Sequence, residues 1–157
     1  MKLIKGDLLK NTSGLLLHGV NCQQKMNSGI AKAIRAKWPI VFQEYYKLGK
    51  GKHLLGTFQP VVISNYLVIG NCFTQEFYGH TGGPYADLGA IRKSLTTAAE
   101  WAKIEDMELK MPKIGAGLGG LDWVDVAMVV EEVEESVGIE ISVYQISPGT
   151  QKAVLFR

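Results

Sequence analysis

Along the chain, short apolar runs of β type alternate with stretches in which apolar positions recur every three or four residues. The runs fall at Lys2 to Lys5, Gly14 to Val20, Thr57 to Ser64, Tyr66 to Asn71, Leu109 to Ile114 and Ile139 to Ile146. Between them, Ile30, Ala33, Ile34 and Lys37 keep helical spacing over Ser28 to Lys37, and Pro39 ends that helix while opening a second through about Leu48. Longer helices are expected over Asp87 to Lys103 and Trp123 to Val137. The latter sets Val126, Val129, Val130, Val133 and Val137 on one stripe and keeps Glu131, Glu132, Glu134 and Glu135 mostly off it, the pattern of an amphipathic surface helix. Ser64-Asn65 between two β runs predicts a tight hairpin, whereas the other connections are helical. The expected fold is therefore α/β: a three-layer α/β/α sandwich around a mixed sheet, in one domain over residues 1–157.

A hydrophobic share of 46% over 157 residues is enough to form one core. Seventeen basic against fifteen acidic residues leave a net charge of +2 with no basic run, which argues against nucleic-acid binding and is compatible with a small anionic ligand. Cys22 and Cys72 are too few for a disulfide framework or a zinc site and favour a reducing compartment. No secretory signal is read at the N-terminus, and no apolar run approaches the ~18 residues of a membrane span, so a cytoplasmic monomer without membrane contact is expected.

The chemistry concentrates in Met111 to Trp123, MPKIGAGLGGLDW, where an apolar run empties into a glycine-rich loop before a helix. Gly115, Gly117, Gly119 and Gly120 allow backbone N–H groups to converge on one point, and the following helix N-terminus adds partial positive charge, so a diphosphate is the natural guest. The loop is neither a P-loop, since no Lys-Ser/Thr pair follows, nor a G-x-G-x-x-G turn. A tight strand-to-helix turn would also use these glycines.

Four separated segments agree: Gly6-Asp7-Leu8-Leu9 after the first strand, His18-Gly-Val-Asn21-Cys22 after the second, Asn27-Ser28-Gly29-Ile30-Ala31 opening a helix, and the glycine loop. Together, and over most of the chain, they resemble the macro domain family, in particular the branch of ADP-ribose 1''-phosphate phosphatases and terminal ADP-ribose protein glycohydrolase. The resemblance implies an ADP-ribose site with no cofactor or metal. In it Asp7 accepts a hydrogen bond from the adenine amino group, with Leu8 beside it and Ile146 flanking the ring near Ser147-Pro148. Asn21 meets the distal ribose hydroxyls, Ser28, Gly29 and Ile30 line the distal ribose, and Gly115, Ala116, Gly117, Leu118 and Gly119 hold the diphosphate through backbone N–H groups.

Local chemistry keeps plainer alternatives open. Asp7 also suits an Asx turn or helix cap, Ile146 a core strand end, and Lys113 a solvent-facing strand position. His18 matches a histidine of the phosphatase branch and could act as acid or base with a pKa near ~6.5, or be a buried, hydrogen-bonded histidine. Asp122 could orient an attacking water or cap the helix that starts at Trp123. His80, in the Gly-rich stretch Phe77 to Pro84, could approach the distal site or stay an exposed loop histidine.

Departures from the family bear on the activity. The glycohydrolase uses a lysine after its fifth strand and an acid in the glycine loop, but no lysine lies between Lys52 and Lys93 here, and the matching loop position is Gly119. A covalent lysine intermediate is thus not expected. The expected reaction is hydrolysis of ADP-ribose 1''-phosphate to ADP-ribose and phosphate. The rivals are a non-catalytic ADP-ribose reader or sink, and a hydrolase of ADP-ribosyl esters on protein or nucleic acid.

Overall fold

A computed structural model describes residues 1–79 and 83–146. Six strands form one sheet: β1 (Lys2–Lys5), β2 (Gly14–Asn21), β3 (Phe58–Val62), β4 (Leu67–Gln75), β5 (Leu109–Met111) and β6 (Ile141–Gln145). Their order across the sheet is β1-β6-β5-β2-β4-β3, and every pairing is parallel except β3 with β4. Helices α1 (Gly29–Lys37) and α2 (Pro39–Lys47) cover one face, and α3 (Leu88–Ile104) and α4 (Trp123–Val137) cover the other. The mixed sheet and three layers agree with the expectation from the sequence.

The central strand explains the two-sided core. In β2, Leu15 and Leu17 face the α3/α4 layer while Leu16 and Val20 face α1/α2, so its near-continuous apolar run is covered on both sides. On α4, Val126, Val129, Val130 and Val133 are buried and the glutamates of the following turns lie mostly outside, as their spacing requires. Asp87 caps α3 by accepting from the Ala90 N–H, Pro39 opens α2, and Gly138 ends α4 in the left-handed region at φ 80°.

Many element ends shift by one or two residues from those the pattern predicts, some by more, and three of the differences have a plain cause. β4 runs on through Cys72, Phe73, Thr74 and Gln75 because these residues continue the ladder with Gly19, Val20 and Asn21. β5 stops at Met111, since Pro112 has no N–H with which to extend it. The Ser64-Asn65 turn widens to residues 63–66, where the Ser64 hydroxyl accepts from the N–H groups of Tyr66 and Leu67.

Gly70 sits at the crowded centre of β4. A Cβ there would lie 2.5 Å from a Leu17 methyl and 2.6 Å from the Phe58 ring, both already packed into the α3/α4 core. Gly70→Ala is expected to destabilise the fold by about 1–3 kcal/mol through overpacking. Equilibrium denaturation would check this, an unchanged midpoint contradicting the crowding.

Candidate functional site

Parallel strands bring their C-terminal ends to one edge of the sheet, and the loops there hold most of the residues singled out in the sequence. The neighbouring strands β2 and β5 send their chains to opposite faces, β2 to α1 and β5 to α4. That divergence opens a crevice at the sheet edge, the place where ligands bind in open α/β sheets.

One end of the crevice is at β1 and β6. Gly6 N–H bonds the Gln145 carbonyl at 2.9 Å, which sets Asp7 and the half-buried Ile146 on adjacent strand tips. One carboxylate oxygen of Asp7 accepts from the Leu9 N–H at 2.9 Å and caps a 3-10 turn at Leu8–Lys10. The Leu8 side chain is buried in the α1/α2 core, so only its backbone can face a ligand.

The glycine loop follows β5. Gly115 and Gly120 have φ near +80°, a region that favours glycine. The Ala116 N–H bonds back to the Lys113 carbonyl, and those of Gly120 and Leu121 bond to Gly117 and Gly115, so these three donors are spent inside the loop. The N–H groups of Gly117, Leu118 and Gly119 have no acceptor among the described residues. Three consecutive backbone donors are thus left over between the two left-handed glycines. Gly119 is buried, and its carbonyl takes the N–H groups of both Tyr85 and Ala86, so the segment after β4 braces the loop from behind. Lys113 Nζ lies 5.6 Å over the Trp123 ring.

Across the crevice, at the end of β2, Asn21 is 8% exposed. Its Oδ1 accepts from Gln23 N–H at 2.9 Å, its Nδ2 donates to the Lys25 carbonyl at 2.9 Å, and the Tyr45 hydroxyl sits 2.8 Å from Oδ1 and 2.7 Å from its backbone carbonyl. Asn21 thus shapes the loop to α1 with much of its amide already engaged. Tyr45 is a residue the sequence reading missed. It lies inside α2 with nothing local to distinguish it from core, and only the fold carries its hydroxyl to the end of β2. Ser28 stands at the N-cap of α1 without a side-chain cap bond, Gly29 has φ 58°, and Ile30 is partly buried, leaving the helix N-terminus uncapped toward the crevice.

The structure does not bring His18 to the cleft. Its side chain is 0% exposed among the apolar residues of the α1/α2 face. Asn71 donates through Nδ2 to Gln59 Oε1, so its Oδ1 accepts from His18 Nε2–H at 2.5 Å, and Gln59 passes the chain on to the Glu44 carbonyl. His18 Nδ1 is buried without a partner among the described residues. This geometry corrects the acid–base expectation in favour of the buried, hydrogen-bonded alternative: burial lowers the His18 pKa from 6.5 to about 4, the Asn71 bond only partly opposing it. Asp122 is the exposed N-cap of α4, accepting from the Val124 N–H through one oxygen and leaving the other uncommitted. His80, Ser147 and Pro148 lie outside the described residues.

No protein-family model matches the chain. It is similar over 93% of its length to a Scheffersomyces stipitis protein named ADP-ribose 1''-phosphate phosphatase, at 29% identity and covering 99% of that protein. It is also 26% identical to a Thermus aquaticus protein named DNA ADP-ribosyl glycohydrolase, the match covering 92% of this chain and 41% of that longer one. Among solved structures, the macrodomain of Mycobacterium tuberculosis DarG superposes with a TM-score of 0.77 at 24% identity, covering 92% of this chain and 98% of that one.

The neutral burial of His18 makes stability depend on pH. The unfolded chain takes up a proton below about 6.5 that the fold refuses until about 4, so the stability present above pH 6.5 is lost progressively as pH falls through that window. His18→Gln is expected to flatten the dependence between pH 7 and 5 in denaturant titrations. Parallel profiles for the two proteins would contradict a neutral buried imidazole.

Proposed function

We propose, on the premise that the chain has the macrodomain fold, that it binds ADP-ribose along the C-terminal edge of the sheet and hydrolyses ADP-ribose 1''-phosphate to ADP-ribose and phosphate. The observation that carries the reading is the run of three N–H groups at Gly117, Leu118 and Gly119 without an acceptor among the described residues, beside the switch point between β5 and β2, which we read as an anion nest. The order of the strands supports it. Across β1, β6, β5 and β2 the edge presents Asp7 and Ile146, then the anion nest, then Asn21 and the start of α1, which is the order adenine, diphosphate, distal ribose. Three interstrand spacings of about 4.8 Å give roughly 14 Å, a length suited to such a ligand laid across the edge.

In this reading the diphosphate sits on the nest, while the free Ser28 hydroxyl and the N–H groups of Gly29 and Ile30 receive the distal end. Water attacks phosphorus, its oxygen joins the phosphate, the bond from phosphorus to the ribose 1'' oxygen breaks, and the proton the water gives up reaches that oxygen through solvent to make the hydroxyl of ADP-ribose. The uncommitted oxygen of Asp122 orients the water, and backbone amides hold the developing charge. His18 transfers no proton; it holds β2 to β4 from beneath through Asn71. The lysine-and-acid route also lacks a place here. A side chain at Gly119 would start 2.7 Å from the Gly115 carbonyl oxygen and 2.8 Å from Ala86 Cβ.

Calorimetric titration with ADP-ribose, followed by phosphate release from ADP-ribose 1''-phosphate, tests both halves. Saturable binding with turnover is expected; binding without turnover leaves a reader or sink, and no binding removes the site. Gly119→Ala is expected to weaken ADP-ribose binding by at least about tenfold, roughly 1.4 kcal/mol, while Leu118→Ala leaves it nearly unchanged because only the backbone is used. Equal losses in the two variants would contradict recognition by the loop backbone. Turnover by His18→Gln close to that of the parent is expected, and a selective collapse of kcat would return His18 to the chemistry.

A further inference from the structure

The near-balance of charge conceals a division that the fold turns into two faces. The first 57 residues carry ten Lys and Arg against Asp7 and Glu44, about +8, and the remainder carries seven against thirteen acids, about −6. The basic part builds the α1/α2 layer and the loop that leads into it, and the acidic part builds the α3/α4 layer. Between Lys25 and Lys52 there are seven cationic side chains and one acid, Glu44, which pairs with Lys47. Among the described residues, Lys25, Lys32, Arg35 and Lys37 have no carboxylate partner.

The arrangement on this face is specific in its details. Lys32, Arg35 and Asn27 line a shallow cavity of ≈ 430 Å³ with Met26, Ala36 and Pro39. The Arg35 guanidinium is stacked 3.6 Å over the Phe42 ring and donates to Asn27 Oδ1 at 3.3 Å, which holds its planar fork in place at the protein surface. The Tyr46 ring, 53% exposed, follows 5.7 Å beyond Phe42. Cations interleaved with exposed aromatic faces suit a strand of phosphates and bases. Among apolar side chains α1 exposes only Ala33 and Ala36, and the larger ones of this face, Ile40, Tyr46 and Leu48, are each about half-buried rather than projecting as a bilayer-inserting row. The face also begins at Ser28 and Gly29, on the rim of the cleft.

We infer that the α1/α2 face docks the sugar-phosphate backbone of a single-stranded nucleic acid, with Lys25, Lys32 and Arg35 meeting phosphates and Tyr46 a base. Docking is independent of the chemistry in the cleft, so it stands or falls apart from the phosphatase reading. Three phosphate contacts to a single strand give a slope of about −2 for log affinity against log salt.

The test is fluorescence anisotropy of the full chain with a fluorescein-labelled, unmodified single-stranded oligonucleotide between about 50 and 200 mM salt. Binding with that slope is expected, weakened about tenfold or more by Lys32→Glu and little changed by Lys93→Glu, which makes the same charge change on the exposed surface of α3. Calorimetry with ADP-ribose in the same preparations reports whether each variant keeps its fold and cleft. Absence of oligonucleotide binding at the lower salt, a salt-independent signal, or equal loss in both variants overturns the proposal. So does binding to phosphatidylserine vesicles without binding to the oligonucleotide, which would assign the face to a membrane.

Discussion

The pairing of β2 with β5 is the constraint on which the rest depends. Leu15 and Leu16 stand in register with Leu109 and Lys110, yet the two chains leave the sheet toward opposite layers. Neither following loop can close over its neighbour, and the sheet edge stays open at that point. Everything that could touch a ligand is then placed by strand order: the Asp7 turn by β1, Ile146 by β6, the glycine loop by β5 and the Asn21 loop by β2. The loops add little reach of their own. They are tied down, by Tyr45 on one side and by the Tyr85 and Ala86 amides on the other.

Beneath the edge, polar groups are buried where an apolar core would have been simpler. His18, Asn71 and Gln59 form a chain running from β2 through β4 to β3 and ending on α2, and it ties the centre of the sheet to the helix that supplies Tyr45. Buried polar groups fix one register because each must find its partner, and a slip of β4 against β2 would leave all of them unpaired. The orphaned Nδ1 is the remaining cost of that arrangement, and the lowered basicity of the ring keeps the cost to that of a neutral group rather than a charge.

Local patterns made most of this legible. Period-two and period-3.6 spacing gave the strands and helices to within a few residues, the exception being β4, whose four further residues are recruited by a neighbour that no window along the chain contains. The glycine loop was legible as an anion binder, but which amides remain free was not, because the bond from Ala116 to Lys113 follows from the turn the loop adopts. Asp122 and Asp87 were recognisable caps from position alone. His18 and Tyr45 were misleading or silent for the same reason: a side chain's distance from solvent depends on how the α1/α2 layer packs on the sheet, and both lie buried where it does. The net charge of +2 describes neither face, because a sum along the chain does not record which layer each charge joins.

A cleft made largely of backbone donors has a consequence for selectivity. In the proposed reading the amides of Gly117, Leu118 and Gly119, which have no acceptor among the described residues, recognise charge and shape and would accept any diphosphate that reaches the edge. Discrimination must then come from its two ends. At one, a single uncommitted Asp7 oxygen favours a donor such as an exocyclic amine over a carbonyl. At the other, Asn21 is held so firmly by Tyr45, Gln23 and Lys25 that it offers a fixed amide rather than an adaptable one. A rigid group of this kind favours a ligand whose hydroxyls already sit in the matching geometry, and a vicinal diol on a ribose ring does so with little entropy left to lose.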